Sequence, residues 1–534
     1  MTYNPQQIKA INSNERTILC LAGAGAGKTK TLLGRIERLI RDGADPTSIL
    51  ALTFTNAAAA EMRNRYKLIK GLDISKGVPE FKTFHGFCYS IIVKDPDVRA
   101  KLGYTKIPQV CDDNELKRIR TKIKLQLGCK LSDDQLENDV YLSKSEQEEK
   151  KIFQKALAKE LRKENLITFD IMCYNVGELF ERKDSCIEQY RQKYHYIFLD
   201  EFQDTDRRQF RFVSSFPETT NFWLCADALQ CIYQFRNCTN EFVKKLAETP
   251  GWEVIKLYKN YRSTRQICEF ANKFSKYAKD EYRIAMEGQR DGDNVEVIYG
   301  SAADYSHPVD ENHLEILIDK LKENKGECAI LCRTNKECAA VRSALTNAKI
   351  EFSSQAKTSD SIDILKCSLS NDYMLDWLSA KLDAKDYGDY IRLSQAEENP
   401  DIRWFLNTYS NNYMIRHYAE KVIEIRNIAA SNQAPKAKFE QIAKVVRAKT
   451  KCVFKGDAST SNREIVESIQ EQLEKLAEVQ IYCGTIHSSK GLEYDTVYVM
   501  GVNDTMFQLG TEEMNNLAYV AYTRAKNHLV VFRQ

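Results

Sequence analysis

The chain has 534 residues, which at roughly 150 residues per domain points to three or four domains. Its 78 Lys and Arg against 75 Asp and Glu leave a formal charge of +3. That balance excludes a histone-like polycation and an acidic disordered tail, but not a local basic stripe for nucleic acid. With 43% hydrophobic residues and only 10 Pro and 22 Gly, the chain can bury sizeable cores.

The first seven residues carry neither a basic n-region nor an apolar h-region. No apolar run approaches the ~18–20 residues that span a bilayer. The 16 cysteines are scattered and form no C-x-x-C pair. Cys328, Cys332 and Cys338 come nearest to a metal cluster, but Cys328 and Cys332 fall on one face of an expected strand. Buried reduced thiols in a cytoplasmic protein are the better expectation.

In chain order, residues 17–21 read as a buried strand that runs into a glycine-rich turn. A helix follows, with Leu32, Leu33, Ile36, Leu39 and Ile40 at helical spacing. Residues 49–53 form a second strand and 57–66 a second helix, the alternation of a parallel, helix-covered sheet. Sheet-like runs return at 194–199 and 221–225, after a charged, helical stretch over 95–165. A second α/β body is expected from Trp252, with strands at 329–332, 479–485, 496–500 and 528–532.

The expected division is therefore a first α/β body of 1–94 and 166–251 with a helical insertion at 95–165. The second body comprises 252–345 and 478–534, with an insertion at 346–477. That second insertion has split charge: 351–400 holds 5 basic and 10 acidic residues, whereas 411–455 holds 10 basic and 3 acidic.

Ala22, Gly23, Ala24, Gly25, Ala26, Gly27, Lys28 and Thr29 lie between the first strand and the first long helix. They spell a P-loop with Ala22 in the first glycine position. Small residues let backbone N–H groups wrap a phosphate, and the helix N-terminus adds partial positive charge. Lys28 would reach the β- and γ-phosphates of ATP, and Thr29 would ligate Mg²⁺. Asp200 and Glu201 end the strand at 194–199. Asp200 can hold Mg²⁺ directly or through water, and Glu201 can polarise the attacking water.

From these residues outward the sequence resembles the UvrD/Rep-type superfamily 1 DNA helicases. Asn4-Pro5-Gln6-Gln7 resembles the family's adenine-reading Q motif, with Gln7 as reader. Thr53 to Ala59 is similar to motif Ia, Thr83-Phe84-His85 to motif Ib, and Asp200 to Thr205 to motif II. Asp227 to Arg236 resembles motif III, Asn260 to Ser263 motif IV, Thr485 to Tyr494 motif V, and Tyr519 to Lys526 motif VI. The ordered set covers most of the chain and is far more specific than any one member.

The resemblance implies an α/β fold of two RecA-like P-loop NTPase domains in tandem, each carrying a mainly helical insertion. It also implies an ATP-dependent DNA translocase or helicase with 3′→5′ polarity, driven by closure of a cleft between those domains. Arg262 and Arg524 would then act as arginine fingers, Gln230 would sense the γ-phosphate, Tyr261 would stack on adenine and Glu493 would bond the ribose. For either arginine alone, a surface salt bridge is the alternative. Phe54, His85, Tyr233, Phe235, Arg236 and His487 match the positions that contact single-stranded DNA; core packing is the other reading for Phe54 and Tyr233. Aromatic stacking suits a motor that must accept any base.

Some positions depart from the family pattern: Ala57 in motif Ia, Ala226, Cys231 and Asn237 around motif III, and Asn515 and Asn516 before motif VI. They bear on coupling between ATP and DNA rather than on hydrolysis. The insertion at 346–477 corresponds to a reduced or divergent 2B-like subdomain, and the eight residues after Lys526 leave no room for a nuclease domain. A second class of function is therefore an ATP-gated DNA switch that regulates a partner nuclease or other repair or defence protein, as in Gabija-like anti-phage systems. Single-stranded DNA and its junctions with duplex are the expected partners, and no membrane is. A P-loop enzyme for small molecules would leave motifs Ia, III and V unexplained.

Overall fold

The computed structural model describes residues 3–111, 113–137, 142–232, 240–275, 282, 284–300, 309–324, 326–354, 359–370, 413–446, 452–478, 480–502 and 512–533. The chain divides into two compact units. One comprises Met1–Ala22, Gly27–Leu257 and Asp280–Ile284; the other comprises Gly23–Ala26, Tyr258–Lys279 and Ala285–Gln534.

The first unit is built on strands β1 (Thr17–Ala22), β2 (Ile49–Thr53), β3 (Glu80–Thr83), β6 (Tyr196–Leu199), β7 (Asn221–Ala226) and β8 (Glu253–Leu257). They form one six-stranded sheet in the order β3-β2-β6-β7-β1-β8, with every neighbouring pair parallel. Ile18 to Ala22 are fully buried, as expected of a central strand covered by helices on both faces. The covering helices include α1 (Pro5–Asn12), α2 (Lys28–Arg41), α3 (Asn56–Lys67) and α4 (Phe84–Lys94).

The stretch 95–165 is mostly helical, through α5 (Pro96–Lys101), α6 (Asp113–Leu127), α7 (Asp133–Glu137) and α8 (Lys144–Lys163). It has its own apolar core. Ile119 and Ile123 on α6, four residues apart, meet Phe153, Leu157 and Leu161 on α8 at the same spacing. It is not wholly without strand. β4 (Gln109–Val110) pairs in parallel with β5 (Leu166–Ile167), just before α9 (Phe169–Glu181). A two-residue ladder has too little alternation to be read from sequence.

The expected start of the second body at Trp252 needs correction. β8, which follows it, pairs with β1 in the first sheet, from Ile18↔Glu253 to Ala22↔Leu257. Glu253 is also held by Lys9 at 3.2 Å and by the Ser13 hydroxyl at 2.5 Å. The boundary between units falls after Leu257. A short apolar strand at a domain junction carries no local signal for which sheet it joins.

The second unit contains β9 (Lys259–Asn260), β10 (Glu287–Gly288), β11 (Glu296–Tyr299), β12 (Cys328–Cys332), β13 (Ile481–Thr485), β14 (Tyr494–Val502) and β15 (Ala525–Arg533). The last five make a parallel sheet in the order β11-β15-β14-β12-β13. Cys328 and Cys332 are buried at the two ends of β12. Among the described residues no cysteine is in a disulfide and no metal-capable group of three side chains occurs.

Within 346–477, the helices Ser359–Leu369, Tyr413–Ala430, Pro435–Val445 and Asn462–Glu478 share a separate core that includes Leu365, Ile425, Ile442 and Ile469. Among the described residues no helix is long and apolar enough to cross a membrane.

Candidate active site

The first sheet brings the acidic and basic groups together. In the order β6-β7-β1, three adjacent strands end side by side, with Leu199 level with Leu224 and Leu21 level with Ala226. Asp200 follows β6, Asp227 follows β7 and the P-loop follows β1. This is the carboxyl edge of a parallel sheet, where open α/β folds place their ligands.

Gly27 is the N-cap of α2 and has φ +78°, a left-handed conformation that favours glycine. A Cβ there would also lie 2.9 Å from Gln7 Nε2. Gln7 is 1% exposed and closes a capping box at the start of α1. Its backbone N–H donates to Asn4 Oδ1 at 2.8 Å, and its side-chain oxygen accepts from Asn4 N at 3.1 Å. The sequence Asn4-Pro5-Gln6-Gln7 thus starts a helix and sets a buried amide against the P-loop.

Lys28 opens α2 beside three carboxylates. Burial pushes its ammonium down, but Glu201, Asp227 and Asp200 more than reverse that and hold it above its ordinary value. Asp200 is pushed up to about 7 by burial and by Glu201, against the pull of Lys28 and a hydrogen bond from Thr29. Burial likewise raises Asp227. Three carboxylates facing one ammonium leave excess negative charge, and Thr29 and Asp200 offer hard oxygens in contact with each other. That donor set fits Mg²⁺.

Glu201 occupies the left-handed region at φ +55°, which costs an L-residue roughly 1–2 kcal/mol. The structure around it sustains that conformation. Glu201 N donates to Asp200 Oδ1 at 3.0 Å, and its carboxylate accepts from Gln203 Nε2 at 2.5 Å. Gln203 Oε1 in turn accepts from Asp227 N at 3.0 Å, and Asp227 Oδ2 accepts from Gln230 Nε2 at 2.6 Å. Glu201, Gln203, Asp227 and Gln230 are therefore one hydrogen-bonded chain. The sequence reading named its two ends but missed the roles of Gln203 and Asp227.

In the second unit, the positions resembling motifs IV, V and VI hold one another. Arg262 Nε donates to Glu493 Oε2 at 2.6 Å, and its Nη1 donates to Thr523 O at 3.2 Å. Arg524 is 1% exposed and donates to Val520 O at 3.0 Å and Leu492 O at 3.1 Å. Arg262 is thus in a partly exposed salt bridge, the alternative that a lone arginine suggests, whereas Arg524 is buried on backbone carbonyls. Asn260, fully buried, accepts from Arg262 N and Ser263 N, both at 2.7 Å, and donates to Ala24 O at 2.8 Å. The sequence reading placed Asn260 in motif IV without giving it this positioning role. Tyr261 beside it is 51% exposed.

Of the DNA-contact candidates, Phe54 follows β2 and is half-buried, and His487 lies half-buried in the turn after β13. His85 sits in the first turn of α4, its ring edge-on to Phe169 with 5.3 Å between centroids. Phe169 is 45% exposed, an aromatic beside a candidate that the sequence reading did not single out. Tyr233, Phe235 and Arg236 lie outside the described residues.

Residues 3–250 match the UvrD/REP helicase N-terminal domain, and residues 255–366 and 380–533 match the UvrD-like helicase C-terminal domain. The chain is similar to the ATP-dependent DNA helicase PcrA of Staphylococcus epidermidis, at 23% identity over 99% of this chain and 83% of that protein. It is 25% identical to DNA helicase II of Escherichia coli K12, over 99% of this chain and 84% of that protein. With the probable DNA helicase II homolog of Rickettsia conorii it shares 26% identity, over 99% and 92% of the two chains.

Proposed function

Because the chain belongs to the UvrD/REP helicase family, it is a DNA-dependent ATPase and helicase, and we propose that it moves 3′→5′ on single-stranded DNA, loading at junctions with duplex. The observation that carries its ATP chemistry is the meeting of Lys28 with Asp200, Glu201 and Asp227 at the carboxyl edge of the first sheet.

In this reading Lys28 and the backbone N–H groups at the start of α2 hold the β- and γ-phosphates. Thr29 and Asp200 would hold Mg²⁺, which would supply positive charge to the phosphoryl oxygens. Glu201 accepts the proton of the attacking water. Gln203 fixes the carboxylate of Glu201, so the base is aimed before substrate arrives. Gln230, held on Asp227, senses the γ-phosphate. Gln7 reads the adenine, with Tyr261 stacked on it and Glu493 on the ribose. Arg262 and Arg524 supply positive charge to the γ-phosphate in the transition state. Phe54, His85, Tyr233, Phe235, Arg236 and His487 carry the DNA, and Phe169 extends the aromatic surface at His85.

A second reading is supported by the separate core within 346–477, which suits a docking module. In it, ATP gates DNA binding to regulate a partner nuclease in phage defence, with little unwinding. Duplexes carrying a 3′ or a 5′ single-stranded tail distinguish the two. ATP-dependent strand separation of the 3′-tailed substrate alone is the expected result. Separation of the 5′-tailed substrate alone would overturn the polarity, and DNA-stimulated ATPase with neither separated would favour the switch.

A further inference from the structure

Helices α4 and α9 bring two thiols and an imidazole to one place. The His85 and Phe169 rings touch at the start of the two helices. Cys88 lies three residues beyond His85 on α4, and Cys173 lies four residues beyond Phe169 on α9. Those spacings keep each pair on one helix face. Starting from the ring contact, they set Cys88 opposite Cys173, and the two thiols and His85 are joined by hydrogen bonds. Neither thiol serves the ATP chemistry.

We propose that Cys88 and Cys173 are an oxidative modification site, in which a peroxide converts the two thiols to a disulfide that acts on His85. The two sulfurs have unequal roles. The Cys173 thiol is pulled down to about 6 by the hydrogen bond from Cys88 and by His85, against its burial. Burial pushes the Cys88 thiol well up, leaving it protonated. For His85, burial lowers the imidazolium, but Cys173, Asp170 and Asp206 outweigh it and hold it above its ordinary value.

Cys173 thiolate is therefore the nucleophile. Its sulfur attacks one peroxide oxygen, the O–O bond breaks, and the departing hydroxide takes a proton from the His85 imidazolium to leave as water. Cys173 is then a sulfenic acid. The Cys88 sulfur attacks that sulfur, the S–S bond forms, the S–O bond breaks, and the Cys88 proton leaves with the hydroxyl as a second water. Two thiols are oxidised and one peroxide is reduced to two waters.

Cys173 is 6% exposed whereas Cys88 is fully buried, so Cys173 is the sulfur a small oxidant reaches first. The disulfide removes the thiolate that, together with Asp170 and Asp206, raises His85. A weaker hold on the imidazolium proton weakens DNA binding if His85 lies on the DNA path, as the proposed function has it. Formation of the disulfide does not depend on that reading.

The test treats the full-length chain with hydrogen peroxide, alkylates the remaining thiols and maps disulfides by mass spectrometry of unreduced peptides. Binding to fluorescent oligo(dT) is followed in parallel. The expected result is Cys88–Cys173 as the first disulfide, with DNA affinity reduced about fivefold or more and restored by dithiothreitol. Cys173→Ala should abolish the peroxide effect, and Cys88→Ala should stop at a sulfenic acid on Cys173 that dimedone traps. Cys20 faces Cys225 across β1 and β7, and Cys332 is hydrogen-bonded to Cys338; oxidation of either pair ahead of this one would overturn the proposal, as would an equal peroxide-induced affinity loss in Cys173→Ala. A mapped Cys88–Cys173 disulfide with unchanged DNA affinity would overturn the link to His85.

Discussion

Arg262 and Glu493, one expected at the γ-phosphate and the other at the ribose, are bonded to each other, Nε to Oε2 at 2.6 Å. The pair holds the guanidinium in a fixed direction within the second unit. Arg262→Ala should lower ATP turnover much more than nucleotide affinity, with arginine-finger losses on the order of 10³–10⁵ as the outer range. Glu493→Gln should have a smaller effect in the same direction, because it loosens Arg262 without removing it. A double-mutant cycle on turnover checks this. Fully additive effects would mean the ion pair has no part in catalysis.

Lys28 and Glu201 should fail in different ways. Lys28→Ala removes the ammonium beside the phosphates and should weaken both nucleotide binding and turnover. It also leaves three carboxylates unopposed, so thermal stability should change along with activity. Melting curves of the variant separate the two effects. An unchanged nucleotide affinity would argue against Lys28 touching phosphate.

Gln203→Ala tests the hydrogen-bonded chain behind the base. It removes the donor to Glu201 and the acceptor for Asp227 N. Buried polar groups left without partners cost about 1–3 kcal/mol each. Turnover should fall while ATP binding holds within a few-fold, measured by single-turnover hydrolysis and by a fluorescent nucleotide. Wild-type turnover in a folded variant would remove Gln203 from the mechanism.

Glu80 on β3 should make the first unit acid-sensitive. It accepts from Lys193 Nζ at 2.5 Å and Tyr194 Oη at 2.9 Å, and pairs with Lys82 at 3.0 Å. Burial raises its carboxyl, but Lys82 and Lys193 outweigh that and hold it far below the usual range. A depressed carboxylate contributes stability above its unfolded pKa of about 4.3, and that contribution is lost as pH falls toward its folded value. Between about pH 5 and 2, the wild-type melting temperature should fall more steeply than that of Glu80→Gln. Parallel curves would contradict the assignment.

Replacing 346–477 with a short linker should preserve some DNA-stimulated ATPase, because the named ATP-site and DNA-contact residues all lie outside it. Its described helices close their own core. Duplex binding, partner binding or unwinding rate should change instead. A folded variant without any ATPase would defeat that division of labour.

The inner strands of both parallel sheets were legible because they are short apolar runs separated by helical periodicity and glycine turns, whereas the edge strands β3 and β11, which carry polar residues, were not. The ATP site was legible because P-loop chemistry is local in sequence: Gly27, Lys28 and Thr29 are consecutive, as are Asp200 and Glu201. What else escaped was nonlocal. β8 joins a strand that lies more than 200 residues earlier, and Gln203 meets Asp227 through a tertiary contact. Cys88 and Cys173 are separated by most of the first unit's helical stretch, so nothing in their spacing announces a pair.

The most direct measurement of the central claim is ATP hydrolysis and nucleotide binding by wild type and Glu201→Gln, each with and without single-stranded DNA. Wild type should hydrolyse ATP slowly alone and much faster with DNA. Glu201→Gln should bind ATP about as tightly as wild type yet lose turnover under both conditions, since its base is gone. Near wild-type, DNA-stimulated hydrolysis by a folded Glu201→Gln protein would contradict the account.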